Sequence, residues 1–267
     1  MNPVKLFLKN NSHSLVVRLI AKLGISVNRF YENRNHDASC NGELNLLKRL
    51  SQLNPKVIFD VGANLGEYAL LATNHCKEAT IYSFEPVSKT FAILQQHLKE
   101  NASQNIVQLN KGFYRENKKL EINIYPSPAH ASLHVIKGLA YSVQAREEIE
   151  LIAGDDFIRD NGFTKIDFIK MDIEGAEMDA LIGLKSAFDK KIVRLIQFEY
   201  GYINVTTKNL LTDYYDFFKS YDYIVGKIYP KYVDFREYSF YHEDFIGPNF
   251  VAVHKYDKEL ISILSKR

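Results

Sequence analysis

Cysteine is scarce in this sequence, and long hydrophobic runs are absent. The 267 residues include two cysteines, Cys40 and Cys76, too far apart to indicate a disulfide framework or a zinc motif. We therefore expect two buried, reduced thiols of a reducing compartment, which predicts a cytoplasmic protein. No run of about 18 apolar residues occurs, so no membrane-spanning helix is predicted. The apolar run Leu6–Leu8 is too short for a signal peptide.

An excess of charge of one sign is also absent. Lys and Arg number 34 and Asp and Glu 32, which gives a formal net charge of +2. A nucleic-acid-binding protein usually carries a strongly basic surface, so no nucleic-acid partner is predicted. The sequence shows no internal repeat and no low-complexity tract. With 46 % hydrophobic residues, it has the composition of a chain that folds around a packed core.

From Pro55 onward, short apolar segments alternate with amphipathic ones, which predicts a mostly parallel sheet with helices on both faces. The predicted parallel strands are Val57–Val61, Ala79–Phe84, Ile106–Leu109, Ile166–Met171 and Ile192–Phe198. Residues 113–153 interrupt this rhythm and contain alternating segments typical of a hairpin-like insertion. Two further β segments, Tyr221–Ile228 and Phe250–His254, close the chain.

The first 50 residues lack the strand–helix rhythm. We predict an N-terminal helical extension over residues 1–50, with helices near 3–24 and 41–53, followed by one domain over 51–267. The first helix carries basic residues among Leu, Val and Ile. Two interpretations are open: the helix packs on the main domain, or it is a basic amphipathic helix that contacts a membrane surface or a protein partner. Contact at the inner face of the membrane would make the protein peripheral, and self-association is a further alternative.

The strongest local motif lies at the end of the first predicted strand. Asp60, Gly62, Asn64 and Gly66 form the pattern D-x-G-x-N-x-G, which differs from the G-x-G-x-x-G fingerprint of dinucleotide-binding folds. An acidic residue beside the loop disfavours pyrophosphate and favours a cationic or zwitterionic cofactor. Glu85 ends the second predicted strand, where a carboxylate can accept hydrogen bonds from ribose hydroxyls. The pattern predicts a sulfonium cofactor with an adenosine moiety and counts against a nicotinamide-dependent oxidoreductase.

The sequence resembles the FkbM family of class I methyltransferases, which use S-adenosyl-L-methionine. The resemblance covers about residues 55–255 and rests on D-x-G-A-N-x-G and on the segment Asp172-Ile173-Glu174-Gly175-Ala176-Glu177. It implies a Rossmann-like fold and O-methylation of a hydroxyl, often on a sugar or a natural product. Asp60, Gly62, Asn64 and Gly66 match the cofactor loop of the family, and Glu85 matches its ribose-binding acid. One departure is His130-Ala131-Ser132-Leu133-His134, where many relatives have a Ser-Ser-Leu-like segment.

Four carboxylates follow two adjacent predicted strands: Asp172, Glu174 and Glu177 after the fourth, and Glu199 after the fifth. Removal of a proton from an alcohol benefits from a general base, and crowding of carboxylates shifts their pKa values. We predict Asp172, Glu174 and Glu199 as catalytic residues and Asp172 also as a cofactor-binding residue. Glu177 alternatively stabilises the first turn of a helix. A divalent metal held by these oxygens is a rival mechanism, although no spacing in the sequence is specific for a metal.

Several other residues are weaker candidates. His130, His134 and His242 are alternatives for the base, while Lys170 and Asn249 are candidate contacts to the acceptor. The aromatic stretch 229–245 is read either as a wall for a sugar or polyketide or as a satellite core beneath a loop. The predicted function is O-methylation of a hydroxyl, most plausibly on a sugar of a surface glycan or its precursor. The alternatives are a natural-product acceptor and a non-catalytic scaffold that retains the cofactor fold.

Overall fold

The computed structural model describes residues 2–101, 105–126, 131–138 and 141–266. The strands are β1 (Val57–Val61), β2 (Thr80–Phe84), β3 (Ile106–Leu109), β4 (Gly112–Tyr114), β5 (Lys118–Ile124), β6 (Ala131–Ser132), β7 (Ala145–Ala153), β8 (Phe168–Met171), β9 (Leu195–Glu199), β10 (Tyr223–Ile228), β11 (Val233–Phe235) and β12 (Asn249–His254). The helices are α1 (Pro3–Asn10), α2 (Leu15–Tyr31), α3 (Glu43–Leu50), α4 (Glu67–His75), α5 (Ser88–Glu100), α6 (Gly154–Asp160), α7 (Glu177–Ile182), α8 (Lys185–Asp189), α9 (Asn204–Thr207), α10 (Leu211–Ser220) and α11 (Lys258–Ser265). Among these helices, none has the length and apolar character needed to cross a bilayer.

The main sheet has eight strands in the order β11-β10-β12-β9-β8-β1-β2-β3. Strands β3, β2, β1, β8 and β9 are parallel, and the remaining three join antiparallel at the β9 edge. The chain runs outward from β1 to β3 and then returns to β8 on the other side of β1. This mostly parallel, Rossmann-like α/β arrangement confirms the predicted fold class, and β1 and β8 flank the point where the strand order reverses.

The sheet is apolar on both faces because helices cover both. Side chains alternate along a strand, so Phe59 and Ile169 point into one hydrophobic core and Ile58 and Phe168 into the other. All four are completely buried. The continuous apolar strands in the sequence reflect this two-sided burial.

The segment that interrupts the strand–helix rhythm forms a second sheet, in the order β4-β7-β5-β6. Its longest pairing joins β5 and β7 antiparallel over seven residue pairs, which confirms the predicted insertion strands. Ser132 of β6 donates a hydrogen bond of 2.6 Å from its hydroxyl to the carbonyl oxygen of Glu174. The small sheet therefore supports the loop that follows β8.

The N-terminal segment differs from the prediction in one respect. The single helix expected over 3–24 is two helices, α1 and α2, because Asn11 ends the first and the Ser14 side chain caps the second. Neither helix has a buried residue. In contrast, Leu46, Leu47 and Leu50 of α3 lie in the hydrophobic core.

The two cysteines are free, but only one is buried. Cys76 lies in the core after α4, as predicted. The expectation of burial is wrong for Cys40, which is exposed in a polar turn and accepts a 3.2 Å hydrogen bond from the side chain of Asn35. It lies in the polar segment before α3, whose buried leucines begin only at Leu46.

Candidate functional site

A cavity of about 520 Å³ opens at the carboxyl ends of β1, β2, β8 and β9. This is the position at which open α/β sheets bind ligands. The predicted site residues that line it are Gly62, Asn64, Glu85, Asp172, Glu174 and Glu199. Asp60 lies on β1 below the cavity, and Gly66 begins α4. The sequence-predicted site residues therefore cluster at one edge of the sheet.

The loop after β1 passes very close to the loop after β8. Gly62 has a φ of +86°, and a Cβ atom added there would lie 1.9 Å from the carbonyl oxygen of Asp172. No side chain fits that distance, so glycine is required for the two loops to meet. Gly66, with a φ of +85°, then allows the turn into α4.

We expect Gly62→Ala to destabilise the fold and to abolish cofactor binding, because the added methyl group collides with backbone rather than with a flexible side chain. Gly138→Ala is a matched control: Gly138 has a φ of +81°, but no atom of the described residues lies within 4 Å of its added Cβ. Both variants bear the cost of a left-handed residue, about 1–2 kcal/mol. Thermal unfolding should show the larger fall in melting temperature for Gly62→Ala. Equal falls in the two variants would refute the argument that Gly62 is required by the nearby backbone of Asp172.

Glu85 connects the cavity to both flanking loops. Its carboxylate accepts hydrogen bonds from the backbone N–H of Asn64 at 3.0 Å and of Val87 at 2.9 Å. Burial raises the pKa of Glu85 to about 7, although the two backbone donors oppose this shift. Each oxygen keeps a free lone pair, and the Oδ1 atom of Asn64 is buried with no protein partner. These unsatisfied acceptors fit the hydroxyl and amino donors of an adenosine-type cofactor.

A buried layer of charge lies beneath the cavity. Asp60 is completely buried, and neither of its carboxylate oxygens has a hydrogen-bond partner among the residues that the structure describes. Burial raises its pKa to about 6, although the ammonium group of Lys170 on the neighbouring strand acts in the opposite direction. Burial alone would lower the pKa of Lys170, but the carboxylates of Asp172 and Asp60 outweigh it and raise that pKa. A buried acid without a partner favours a cationic ligand above it.

Three of the predicted acids meet at the rim of the cavity. Carboxylate oxygens of Asp172, Glu174 and Glu199 all lie within 4.8 Å of one another. Burial, followed by repulsion from Asp172 and Glu177, raises the pKa of Glu174 to about 9. Burial and the neighbouring carboxylates also raise the pKa of Glu199 well above its ordinary value.

Asp172 differs from the other two acids of this cluster. Its side chain is 45 % exposed, against 13 % for Glu199, and it accepts a 3.1 Å hydrogen bond from the ammonium group of Lys170. The Lys170 ammonium group therefore lies against Asp172 and stabilises a negative charge there, whereas the raised pKa values of Glu174 and Glu199 favour their protonated forms.

Glu177 supports the loop rather than the cavity. Its carboxylate is completely buried and accepts hydrogen bonds of 3.0 Å from the backbone N–H groups of Ile173 and Gly175. Glu174 lies between those two residues with a positive φ of 49°. Glu177 thus holds the turn that presents Glu174, which favours the helix-terminal interpretation of this residue over a catalytic one.

The raised pKa values predict how stability depends on pH. An acid with a raised pKa holds a proton in the folded state that the unfolded chain has already released. The protein therefore loses stability as pH rises from near 4.5 toward 9. These limits are the ordinary pKa and the raised pKa of Glu174. We expect the melting temperature of the ligand-free protein to fall over this range, with a smaller fall for Glu174→Gln. An identical pH dependence in both proteins would contradict the shifted pKa of Glu174.

The sequence interpretation missed two cavity residues from the N-terminal segment. His36 lines the cavity, with its Nδ1 atom 4.0 Å from an oxygen of Glu199. Glu43, the first residue of α3, also lines it and bonds to the side-chain amide of Gln197 on β9. No local motif marks either residue, because only long-range packing brings the N-terminal segment to this edge of the sheet. Tyr202, just after β9, was missed as well.

Of the remaining candidate residues, one lines the cavity and the other described ones do not. Asn249 lines the cavity, whereas Lys170 is buried beneath the acid cluster. His242 does not line the cavity, and its Nδ1 atom accepts a hydrogen bond from the backbone of Ser239. His134 is also absent from the described lining, and His130 lies outside the described residues.

The interpretation of stretch 229–245 as a wall of the site is wrong. None of its aromatic residues lines the cavity in the described structure. Tyr238 and Phe245 pack against one hydrophobic core and Phe235 against the other. The satellite-core interpretation is therefore the better one.

Two curated methyltransferases are similar to part of this chain. Among curated proteins, the chain is 26 % identical over 146 residues to the hexuronic acid methyltransferase AglP of Haloferax volcanii, covering 54 % of this chain and 56 % of that protein. It is also 26 % identical over 156 residues to the 31-O-demethyl-FK506 methyltransferase FkbM of Streptomyces tacrolimicus, covering 49 % of this chain and 60 % of that protein. The chain thus spans less than two thirds of the length of either relative.

Among solved structures, the chain is similar to a precorrin-6y C5,15-methyltransferase from Geobacter metallireducens, with a TM-score of 0.41 and 12 % identity over 77 % of this chain and 84 % of that one. A family model described as the methyltransferase FkbM domain matches residues 60–225, more than half of the chain. That range begins at Asp60 of the cofactor loop and includes the acid cluster. The chain belongs to the FkbM family of S-adenosylmethionine-dependent methyltransferases.

Proposed function

We propose that the protein transfers the methyl group of S-adenosylmethionine to a hydroxyl of an uncharged sugar in a surface glycan or its precursor. The single observation that carries this proposal is the acid cluster at the rim of a cofactor-type cavity. Relatives named as a hexuronic acid methyltransferase and a 31-O-demethyl-FK506 methyltransferase support a sugar or natural-product acceptor.

The charge of the cavity restricts the acceptor. None of the described residues that line the cavity is lysine or arginine. Six of them are acidic: Glu43, Glu67, Glu85, Asp172, Glu174 and Glu199. A phosphate or carboxylate close to the reacting hydroxyl would lie beside these acids with no lysine or arginine of the described lining to pair with it. The same field disfavours a nucleic acid, as the overall charge predicts. We therefore infer that the group entering the cavity is uncharged, in contrast to a hexuronate.

The residues of this chain have separate tasks in the reaction. When bound, the cofactor supplies an activated methyl group on a sulfonium centre. Asn64 and Glu85 would hold its hydrogen-bond donors, and the buried Asp60 would favour the ammonium group of its amino-acid moiety. Asp172 accepts the proton of the acceptor hydroxyl as the new carbon–oxygen bond forms, and the products are a methyl ether and S-adenosylhomocysteine. Glu174 and Glu199, when protonated, donate hydrogen bonds that orient the acceptor.

A divalent metal remains the rival mechanism. The three clustered carboxylates offer oxygen ligands, the type preferred by magnesium and calcium. Lys170 opposes a metal, because its ammonium group already neutralises Asp172 at 3.1 Å. Assays with EDTA decide between the two: the proposal predicts retained turnover, and loss of turnover that magnesium restores would assign the cluster to a metal.

The acceptor proposal is tested by incubating the protein with methyl-labelled S-adenosylmethionine and three acceptor classes. These are neutral glycosides, glycosides of uronic acids, and polyketide alcohols. We expect label on the neutral glycosides, with mass spectrometry locating the methyl ether. Labelling confined to uronates would contradict the charge argument. Cofactor binding without transfer to any class would favour a non-catalytic scaffold.

A further inference from the structure

Helices α1 and α2 expose a concentrated apolar surface. No residue of either helix is buried. Of the 21 large hydrophobic side chains exposed in the described residues, twelve belong to these two helices. Exposed apolar surface of this extent marks a site of interaction.

The apolar side chains of α2 lie along one side of the helix. Val16, Ile20, Leu23, Val27 and Phe30 follow spacings of four and three residues, and all five are more than half exposed. Such spacing places them on one face of a helix. We call these five residues the apolar face.

Another side of α2 approaches the methyltransferase domain. Ala21, Gly24 and Asn28 line a groove whose opposite wall is formed by residues 244–246. None of the five residues of the apolar face lines that groove. The domain therefore leaves the apolar face open.

The charge of this segment is of one sign. Residues 2–31 contain no Asp or Glu, and their basic residues are Lys5, Lys9, Arg18, Lys22 and Arg29. None of the five forms an ion pair with a described carboxylate. The rest of the chain carries 29 basic and 32 acidic side chains, a net charge of −3. The positive charge of the protein is thus concentrated where its apolar surface is exposed.

The apolar face and the positive charge together indicate which partner binds this surface. A second copy of the chain would bring five uncompensated positive charges against five others across a symmetric contact, which is unfavourable. A bilayer with anionic lipids supplies acyl chains for the apolar face and negative head groups for the lysines and arginines.

We propose that residues 2–31 bind the surface of an anionic lipid bilayer and hold the protein there peripherally. The segment after α2 leads to His36 and Glu43, which line the cavity. Membrane binding would therefore bring the cavity near the lipid surface, where a lipid-linked sugar would present its hydroxyl. The identity of that acceptor rests on the proposed function, whereas the proposed membrane binding does not.

The test is sedimentation of the full chain with vesicles of phosphatidylcholine alone and of phosphatidylcholine mixed with phosphatidylglycerol. We expect binding to the mixed vesicles that weakens with added salt. The double variant Ile20→Ser, Leu23→Ser should bind the mixed vesicles at least about 10-fold more weakly, because two anchoring side chains are lost. Arg18→Gln with Lys22→Gln should also weaken binding, through charge alone.

A matched control is Ile93→Ser with Val107→Ser, which removes two exposed apolar side chains outside α1 and α2. It should bind vesicles like the unaltered protein. Equal binding by the Ile20, Leu23 variant, or no binding by the unaltered protein, would overturn the proposal. A dimer in light scattering that this variant abolishes, without vesicle binding, would assign the surface to self-association.

Titration of every variant with S-adenosylhomocysteine separates this proposal from the proposed function. Unchanged binding of S-adenosylhomocysteine shows that a loss of vesicle binding is confined to the membrane surface. If no protein in the series binds S-adenosylhomocysteine, the cofactor assignment fails while the vesicle result still stands.

Discussion

Replacing Asp172 by asparagine is expected to reduce turnover by about 100-fold to 10,000-fold and to leave the affinity for S-adenosylhomocysteine nearly unchanged. Asparagine preserves the shape of the side chain but cannot accept the proton of the acceptor hydroxyl. Asp172 is the member of the acid cluster that is half exposed and paired with the ammonium group of Lys170. Its loss therefore removes the proposed base while Glu174 and Glu199 remain.

Asp216→Asn is the matched control for this prediction, because Asp216 is an exposed residue of α10 that does not line the cavity. Its turnover should equal that of the unaltered protein. The readouts are kcat from a labelled-methyl assay and Kd from calorimetry. Full activity of Asp172→Asn would remove Asp172 from the chemistry and direct attention to His36 and Glu199.

Asp60→Asn is expected to lower the affinity for S-adenosylhomocysteine or S-adenosylmethionine by about 100-fold without lowering the stability of the ligand-free protein. The carboxylate of Asp60 is buried and has no hydrogen-bond partner among the described residues. Its charge therefore costs free energy until a ligand compensates it with the amino-acid ammonium group that S-adenosylhomocysteine and S-adenosylmethionine share. The raised pKa, about 6 against an ordinary 3.8, means that this cost is absent below pH 4 and complete above pH 6. The melting temperature of Asp60→Asn relative to the unaltered protein should therefore rise across that interval.

Asp167→Asn is the control for Asp60→Asn, because it is expected to lower stability and to leave cofactor affinity unchanged. Asp167 is a buried acid at the other end of the sheet, where its carboxylate accepts hydrogen bonds from the backbone N–H groups of Lys56 and Val57. Its replacement should lower the free energy of unfolding by about 1–3 kcal/mol and leave cofactor affinity intact. If both variants lose stability and both keep affinity, Asp60 is a structural residue and the charge argument fails.

The fold and the glycine turn after β1 could be predicted from sequence because their signals are local. Apolar strands of a two-sided sheet are continuous in sequence, and the turn after β1 needs glycine where the backbone of Asp172 comes close. The acid cluster was predictable for a related reason: parallel strands end at one edge, so Asp172 and Glu199 had to be neighbours.

The rest of the site depends on packing that no short segment encodes. Glu43 reaches Gln197 across more than 150 residues, and His36 approaches Glu199 from the same N-terminal segment. Composition also left the interpretation of stretch 229–245 open, because aromatic residues suit a core and a binding wall equally well. The break between α1 and α2 depends on two small polar caps, Asn11 and Ser14, within an otherwise apolar sequence.

The most direct test of the account is a calorimetric titration of the unaltered protein with S-adenosylhomocysteine, repeated with EDTA and with Asp60→Asn. The account predicts micromolar binding that EDTA leaves unchanged and that the Asp60 variant loses. Absence of binding to the unaltered protein would contradict the assignment of the cavity as a cofactor site. Binding that Asp60→Asn leaves unchanged would contradict the role of the buried charge beneath it.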